Sequence, residues 1–141
     1  MFMGEYNHNI DSKGRLIIPA RFREQLGDSF VVTRGLDGCL SIYTNEDWNA
    51  FSEKVEALPL TNKNSRTLKR FFLSQASQCE VDKQGRILIP AHLRQAADLD
   101  KDVILAGVGD RIEIWDRTKW EACSDFGDMD EIAEQMEGLG I

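Results

Sequence analysis

The sequence has few cysteines and histidines, and these shortages narrow what the chain can be. Its 141 residues include only three cysteines, Cys39, Cys79 and Cys123, which lie far apart. An odd number of widely spaced cysteines favours reduced, mostly buried thiols in a cytoplasmic protein over a disulfide framework. No C-x-x-C or H-x-x-x-H spacing occurs, so we expect neither a bound metal nor a cofactor.

Long apolar runs are also missing. Uninterrupted apolar stretches reach five residues or fewer, whereas a membrane-spanning helix needs about 20. The sequence does not open with a basic region followed by an apolar stretch, as a secretory signal would. With 42% hydrophobic and 29% charged residues, the composition is typical of a soluble globular protein with no membrane partner.

Basic residues are absent from the last 21 positions. All 17 lysines and arginines lie in residues 1–120, together with 17 of the 24 acidic residues. The other seven acids fall in residues 121–141, so the net charge of −7 belongs to this tail. Because the rest of the chain is neutral, the acidic total does not exclude a nucleic-acid partner.

What the sequence does contain is one thirteen-residue pattern twice. It reads D-S-K-G-R-L-I-I-P-A-R-F-R from Asp11 to Arg23 and D-K-Q-G-R-I-L-I-P-A-H-L-R from Asp82 to Arg94. Nine of the thirteen positions are identical or closely similar, and the likeness continues downstream as far as Trp48 and Trp120. Two copies indicate two units packed together in one body, because a solenoid needs three or more repeats.

Each copy predicts the same order of short elements. A strand leads to a turn at Gly14 or Gly85, and a β-branched strand follows. Pro19 or Pro90 then ends that strand and starts a short helix. The predicted strands cover 6–10, 15–18, 30–33 and 39–43 in the first copy and 77–81, 86–89, 103–106 and 111–115 in the second, with helices over 20–26 and 91–97.

A helical spacer is predicted between the copies. The capping-box spacing of Thr44 and Asp47 precedes apolar residues at helical intervals, and Pro59 ends that helix. A second helix is predicted over 63–75. The pattern predicts buried side chains at Leu68, Phe71 and Phe72. It predicts exposed side chains at Arg66, Lys69 and Arg70.

The acidic tail has two interpretations. Apolar residues recur among its acids at helical spacing, at Met129, Ile132, Met136 and Leu139. This pattern fits an amphipathic helix that docks on a neighbour. It equally fits a largely disordered acidic end.

In each copy an aspartate and an arginine flank the glycine turn, four residues apart. The carboxylate can accept hydrogen bonds from the turn backbone, and the arginine offers a forked donor that suits phosphate or guanine. The alternative is a local Asp–Arg pair without an external partner. The candidate binding residues are Asp11, Lys13, Arg15, Asp82, Lys83 and Arg86. Arg21, Arg23 and Arg94 fit phosphate contact or a local structural role equally and stay outside this set.

The second copy, V-D-K-Q-G-R-I-L-I-P-A-H-L-R, resembles the D-x-x-G-R-I-x-I-P-x-x-x-R signature of AbrB-type transition-state regulators. The chain is also similar to the MraZ family of transcriptional regulators. That similarity is carried by the two copies in a chain of this length, the opening M-F-M-G-E-Y and the intervening R-F-F-L-S-Q-A-S-Q-C-E. It covers nearly all of residues 1–120.

The resemblance implies an α+β, mainly β fold. Two tandem AbrB-like swapped-hairpin units would interlace within one chain into a small barrel, with a helical spacer and a C-terminal helix. The corresponding divisions are residues 5–47 for the first unit, 48–75 for the spacer, 76–119 for the second unit and 120–141 for the acidic tail.

The resemblance also implies sequence-specific binding to double-stranded DNA in the cytoplasm, at the nucleoid. The family forms closed rings of protomers and binds short direct repeats upstream of its own gene, at the head of the division and cell-wall gene cluster. Its motif carries over to Asp11 with Arg15 and to Asp82 with Arg86, the arginines contacting DNA and the aspartates orienting the loops. A ring fits direct repeats, since linked weak contacts add to a useful affinity.

Two other classes of function compete with DNA binding. Catalysis is not expected, because the nearby arginine favours a permanently ionised aspartate, and His8 and His92 occupy unrelated positions in the two copies. The stronger alternative is an oligomeric protein-interaction or antitoxin-like module with the same fold, which would use the spacer or the tail. DNA binding predicts that losing Arg15 or Arg86 abolishes function, whereas such a module would tolerate the loss.

Overall fold

Both copies of the repeated pattern fold into the same order of elements. The computed structural model describes residues 1–140. The first copy contains β1 (Phe2–Asn9), β2 (Arg15–Ile17), α1 (Ala20–Leu26), β3 (Ser29–Arg34) and β4 (Leu40–Tyr43). The spacer contains α2 (Asn45–Glu56), α3 (Lys63–Lys69) and a π-helical turn (Arg70–Ser74). The second copy contains β5 (Ser77–Glu80), β6 (Arg86–Leu88), α4 (Ala91–Ala96), β7 (Asp102–Gly109) and β8 (Ile112–Asp116). After β8 come α5 (Arg117–Cys123), which leads into the tail, then α6 (Met129–Gln135) and a 3-10 turn (Glu137–Leu139).

Proline sets the boundary between strand and helix in both copies, as the sequence predicts. Pro19 and Pro90 have φ angles of −51° and −53°, and α1 and α4 begin at the next residue. The pyrrolidine ring fixes φ near the helical value but provides no N–H, so it suits the start of a helix and ends a paired strand.

Strands of both copies are interleaved in one sheet. Six strands pair antiparallel in the order β1-β7-β8-β4-β3-β5, so each outer strand lies against a hairpin of the other copy. The remaining strands, β2 and β6, form a separate two-stranded antiparallel ribbon. Neither copy contains the partners of its own first two strands, and the two copies therefore fold as one body.

The pairing supports an α+β fold that consists mostly of strands. Within residues 1–140 the sheet order runs from β1 at one edge to β5 at the other, with no pairing between those two edges. Closure into a small barrel is therefore not shown.

Both copies contribute equally to one hydrophobic core. The largest fully buried side chains come six from each copy: Leu16, Ile18, Phe22, Phe30, Leu40 and Ile42 from the first, and Ile87, Ile89, Leu93, Leu105, Ile112 and Ile114 from the second. They belong to a single cluster. The alternation of buried and exposed positions along β2 and β6 places one face of the ribbon on this core and leaves the other face outward.

The spacer follows the prediction at its start and departs from it near its end. The Thr44 side chain accepts a hydrogen bond from the Asp47 backbone N–H at 3.0 Å and so caps α2. The second helix, expected to continue to residue 75, changes at Arg70 into the π-helical turn. The wider turn breaks the helical spacing on which the burial prediction rested.

The predicted burial of Leu68 is therefore wrong, because this side chain is 39% exposed. The aromatic side chains of the π-helical turn take the inward positions and are half-buried. Phe72 meets Phe51 edge-on with ring centroids 5.1 Å apart, and the Arg34 guanidinium lies 4.7 Å from the Phe71 ring centroid. Arg70 is exposed as predicted, whereas Arg66 and Lys69 are half-buried.

The first tail helix packs on the sheet. Trp120 of α5 contacts Trp115 of β8 with ring centroids 5.8 Å apart, and its indole N–H donates to the Glu5 carboxylate at 2.7 Å. Helix α6 forms at the predicted apolar spacing, capped by Asp128. The apolar side chains of this region remain exposed, at Met129 and Ile132 in α6 and at Met136 and Leu139 just beyond it.

The cysteines are all free, and two of the three are buried as predicted. Burial raises the pKa of the Cys39 thiol to about 12 and that of Cys79 to about 11, which keeps both thiols protonated and unreactive. Cys123 is the exception, because it is exposed. Across residues 1–140, no helix is both long enough and apolar enough to cross a membrane.

Candidate nucleic-acid interface

The turn between β1 and β2 is organised by one carboxylate. Oδ1 of Asp11 accepts hydrogen bonds from the backbone N–H groups of Lys13 and Arg15, each at 2.9 Å. Oδ2 accepts from Nε of Arg15 at 2.7 Å. Gly14 has a φ of +87°, a left-handed conformation that favours glycine. The aspartate therefore fixes both the turn backbone and the arginine side chain.

The turn between β5 and β6 repeats this geometry. Oδ1 of Asp82 accepts from the backbone N–H groups of Gln84 and Arg86, each at 2.9 Å, and Oδ2 accepts from Nε of Arg86 at 2.8 Å. Gly85 has a φ of +80°. The local Asp–Arg pair considered in the sequence analysis therefore exists in each copy, and it uses only Nε of the guanidinium. Within residues 1–140 the two Nη groups of each arginine have no hydrogen-bond partner.

The same hydrogen bonds keep the two aspartates ionised. The pKa of Asp11 lies below its usual value, chiefly because the carboxylate accepts the Arg15 backbone N–H, with the Arg15 side chain adding to the effect. The pKa of Asp82 is lowered in the same way by Arg86. A carboxylate held ionised cannot serve as a proton donor near neutral pH. Among residues 1–140 no three His, Cys, Asp or Glu side chains come together as a metal site.

The lysines occupy different positions in the two turns. Lys13 is the third residue of the first turn and Lys83 the second residue of the second turn, and both side chains are exposed. Gln84 occupies the position equivalent to Lys13. The two turns therefore share their backbone and their Asp–Arg pair but present positive charge at different points.

The ribbon brings the two turns into one unit. Because β2 and β6 are antiparallel, the turns lie at its opposite ends, with Arg15 opposite Leu88 and Ile17 opposite Arg86. The two arginines are diagonal neighbours on the outward face, a relation that separates Cα atoms by about 7–8 Å. The predicted residues of the two copies are thus brought together by one ribbon.

Each turn is also held by the other copy. The carbonyl of Gly85 accepts from the backbone N–H of Ile18 at 2.9 Å, and the carbonyl of Gly14 accepts from that of Ile89 at 3.0 Å. The sequence does not predict these two hydrogen bonds, because each joins residues about 70 positions apart. Together they bond the turn of each copy to the end of the ribbon strand of the other copy.

Two arginines for which the sequence fits either phosphate contact or a local structural role lie under these turns. The guanidinium of Arg94 packs against Gly14, and that of Arg23 packs against Gly85, so closely that a Cβ on either glycine would overlap the guanidinium. Nη1 of Arg94 donates to the Ile89 carbonyl at 2.5 Å, and Nε of Arg23 is buried without a partner. Both arginines therefore have a local structural role. Their equivalent positions in the two copies are visible in the sequence, but the contact of each with the glycine of the other copy is not.

The contact of Arg94 with Gly14 predicts an energetic coupling between them. Gly14→Ala should displace the guanidinium and cost about 0.5–1.5 kcal/mol for the lost hydrogen bond to Ile89, in addition to strain at positive φ. In an Arg94→Ala background only the strain should remain, so urea unfolding of the two single variants and the double variant should be non-additive. Gly109→Ala, at positive φ with open space around its Cβ position, should add to Arg94→Ala without coupling. Additive free energies for Gly14 and Arg94 would contradict the contact.

The lowered pKa of Asp11 has its largest cause in a backbone bond, which a side-chain substitution leaves in place. The Arg15→Gln variant should therefore raise the pKa of Asp11 only part of the way to its ordinary value, with Asp82 unchanged as the internal control. Carbon-detected NMR of the carboxyl groups during an acid titration measures both. The pKa of Asp11 is lower in the folded than in the unfolded state. The ionised Asp11 therefore stabilises the folded protein fully at pH values above its unfolded-state pKa, and this contribution is lost as the pH falls through its folded-state pKa. Full return of Asp11 to its ordinary value would contradict this account.

Comparison with known proteins agrees with the duplicated architecture. The family model described as "MraZ protein, putative antitoxin-like" matches twice, over residues 1–71 and 72–137. Proteins named "Transcriptional regulator MraZ" align along the chain. The protein from Lachnoclostridium phytofermentans is 57% identical over 141 residues, covering 100% of this chain and 99% of the relative. The one from Ligilactobacillus salivarius is 59% identical over 138 residues, covering 96% of each. The two repeats and these full-length relatives show that the chain belongs to the MraZ family.

Proposed function

We propose that this protein is a transcription regulator that binds double-stranded DNA through the outward face of the β2–β6 ribbon. Arg15 and Arg86 contact the DNA, and Asp11 and Asp82 orient them. The observation that carries the proposal is the pair of arginines on one exposed face, each held through Nε by an ionised aspartate. This arrangement leaves the planar ends of two guanidinium groups available for phosphate or for the guanine edge.

The dimensions of the ribbon support this partner. The major groove of B-form DNA is about 12 Å wide and admits a two-stranded β-ribbon. Lys13 and Lys83 at its two ends add charge toward the phosphates on either side. The relatives' name, transcriptional regulator, agrees with a DNA partner. The proposed role is binding, without an enzymatic step.

A closed homo-oligomeric ring and short direct repeats in the promoter complete the proposal. One protomer has two arginines and two lysines on these turns, in a body that is neutral overall, so its affinity for DNA is weak and salt-dependent. Head-to-tail assembly repeats the ribbon at regular spacing, which matches direct repeats rather than palindromes. The target lies upstream of the protein's own gene, in the division and cell-wall gene cluster, and the protein acts at the nucleoid in the cytoplasm.

The proposal also assigns a role to each part of the chain. In this proposal the two copies are swapped-hairpin units of the AbrB type, at residues 5–47 and 76–119 around the spacer 48–75, and the exchange of strand partners between the copies supports it. The acidic tail, residues 120–141, lies away from the DNA, because its seven carboxylates repel phosphate.

An antitoxin-like, protein-binding role is the second candidate, since the family description itself contains that term. The basic side chains of the spacer are the observation that favours it, with Arg70 exposed and Lys69 beside it half-buried. In that case the spacer is required for activity and the ribbon arginines are not.

Removal of both ribbon arginines should abolish specific DNA binding. Fluorescence anisotropy on labelled DNA from upstream of the gene, over a salt series, should show tight and salt-sensitive binding by the wild type and weak binding to scrambled DNA. Arg15→Ala/Arg86→Ala should lose this preference, because the two forked donors are gone. Arg66→Ala/Arg70→Ala removes the same charge from the spacer and should bind as the wild type does. Equal binding by wild type and the ribbon variant would support the protein-binding role instead.

The ring predicts a definite assembly in the absence of DNA. Sedimentation velocity and native mass spectrometry of the full chain should find one oligomer larger than a dimer, with a protomer number that does not rise with concentration. A closed ring has this property because every interface is already satisfied. A monomer, or a series of species that lengthens with concentration, would contradict it.

A further inference from the structure

The outward face of the ribbon carries two large aliphatic side chains. Ile17 is 44% exposed and Leu88 is 59% exposed, whereas Leu16 and Ile87 between them and the arginines are at most 1% exposed. A single exposed aliphatic residue is ordinary on a protein surface. Here there are two, at the same position of each copy, on the face that the proposed function assigns to DNA.

The register places each aliphatic side chain opposite an arginine. Ile17 pairs with Arg86 and Leu88 pairs with Arg15. Side chains directly opposite in an antiparallel pair have Cβ atoms about 4.5–5.5 Å apart and lie on the same face. The exposed face is therefore a square of four side chains, with the two cations on one diagonal and the two aliphatic groups on the other.

We propose that Ile17 and Leu88 determine sequence specificity by contacting the 5-methyl groups of thymines in the major groove. The inference rests on the proposed function and adds to it the base chemistry that the ribbon reads. Thymine is the one base that presents a methyl group in this groove, and apolar side chains contact it there. The arginines beside them supply the hydrogen-bonding partners for guanine or phosphate.

The spacing along each strand fits this assignment. Arg15 and Ile17 lie two residues apart on β2, as do Arg86 and Leu88 on β6, which is about 6.7 Å at the rise of an extended strand. Two base-pair steps of B-form DNA cover about 6.8 Å. An arginine and the aliphatic group that follows it can therefore reach bases two steps apart on the same groove wall.

The charge of this surface favours DNA over a second protein molecule as its occupant. Two guanidinium groups and the exposed Lys13 and Lys83 surround or flank the aliphatic pair, and the acids of the turns, Asp11 and Asp82, are already paired with the arginines. A purely apolar partner surface would have to bury those cations without compensation. The groove offers methyl groups for the aliphatic side chains and anions for the cations.

The test replaces thymine by deoxyuridine, which differs only in lacking the 5-methyl group. Anisotropy titrations of the full-length wild type should show weaker binding to the fully substituted upstream fragment, by roughly fourfold for each contacted methyl group. Ile17→Ala/Leu88→Ala should bind the two fragments equally, because it has lost the groups that sense the difference. Leu36→Ala/Leu60→Ala, which removes two aliphatic side chains exposed elsewhere, should discriminate as the wild type does. Thermal melting checks that each variant is folded, and single substitutions then locate the thymines.

Each other result overturns the inference in a recognisable way. Equal binding of both fragments by the wild type, or undiminished discrimination by Ile17→Ala/Leu88→Ala, rejects the methyl contacts while DNA binding itself stands. A change in sedimentation of the DNA-free Ile17→Ala/Leu88→Ala variant with discrimination unchanged assigns the pair to a contact between copies of the chain. Failure of Arg15→Ala/Arg86→Ala to weaken binding rejects the proposed function, and the inference with it.

Discussion

Reciprocal backbone bonding between the two copies is the constraint on which the remaining structure depends. The carbonyl of each glycine turn accepts a hydrogen bond from the end of the other copy's ribbon strand, Gly14 from Ile89 and Gly85 from Ile18. These bonds, with the pairing of β2 and β6, set the ribbon's register. The register in turn puts Arg15 and Arg86 on one face and buries Leu16 and Ile87 beneath them.

Electrostatics in this protein is local. The net charge of −7 resides in the tail, so the attraction of the body for an anionic partner depends on a few fixed cations. Each ribbon arginine is fixed by a carboxylate that the turn backbone keeps ionised, which limits the rotamers available before binding. Ordering these side chains in advance lowers the entropy that binding must overcome. The same carboxylates neutralise part of the charge, which favours many linked weak contacts over one strong site.

Much of the fold was predictable, because the duplication repeats strong local signals. Glycine at positive φ, β-branched strands and proline at the helix starts gave α1 from Ala20 to Leu26 and six of the eight strands to within one residue at each end. The two strands that pair with each other at one edge of the sheet are longer than predicted, since β1 begins four residues before the predicted strand and β7 ends three residues after it. Local sequence signals do not predict the features that depend on contacts between separate elements. A π-helical turn replaces the regular helix at Arg70, and Leu68 is exposed. These differences accompany the packing of Phe72 on Phe51 of the preceding helix α2, a contact between elements that the sequence pattern does not specify. The positions of Arg23 and Arg94 likewise depend on the glycine of the opposite copy, and sequence order alone does not reveal that contact.

The most direct measurement of the central claim is the structure of the full chain bound to the DNA upstream of its gene. The account predicts the β2–β6 ribbon in a major groove, with the Nη groups of Arg15 and Arg86 within hydrogen-bond distance of bases or phosphates and their Nε groups still paired with Asp11 and Asp82. DNA lying instead on the spacer helix α3, with the ribbon buried between protomers or free in solvent, would contradict it.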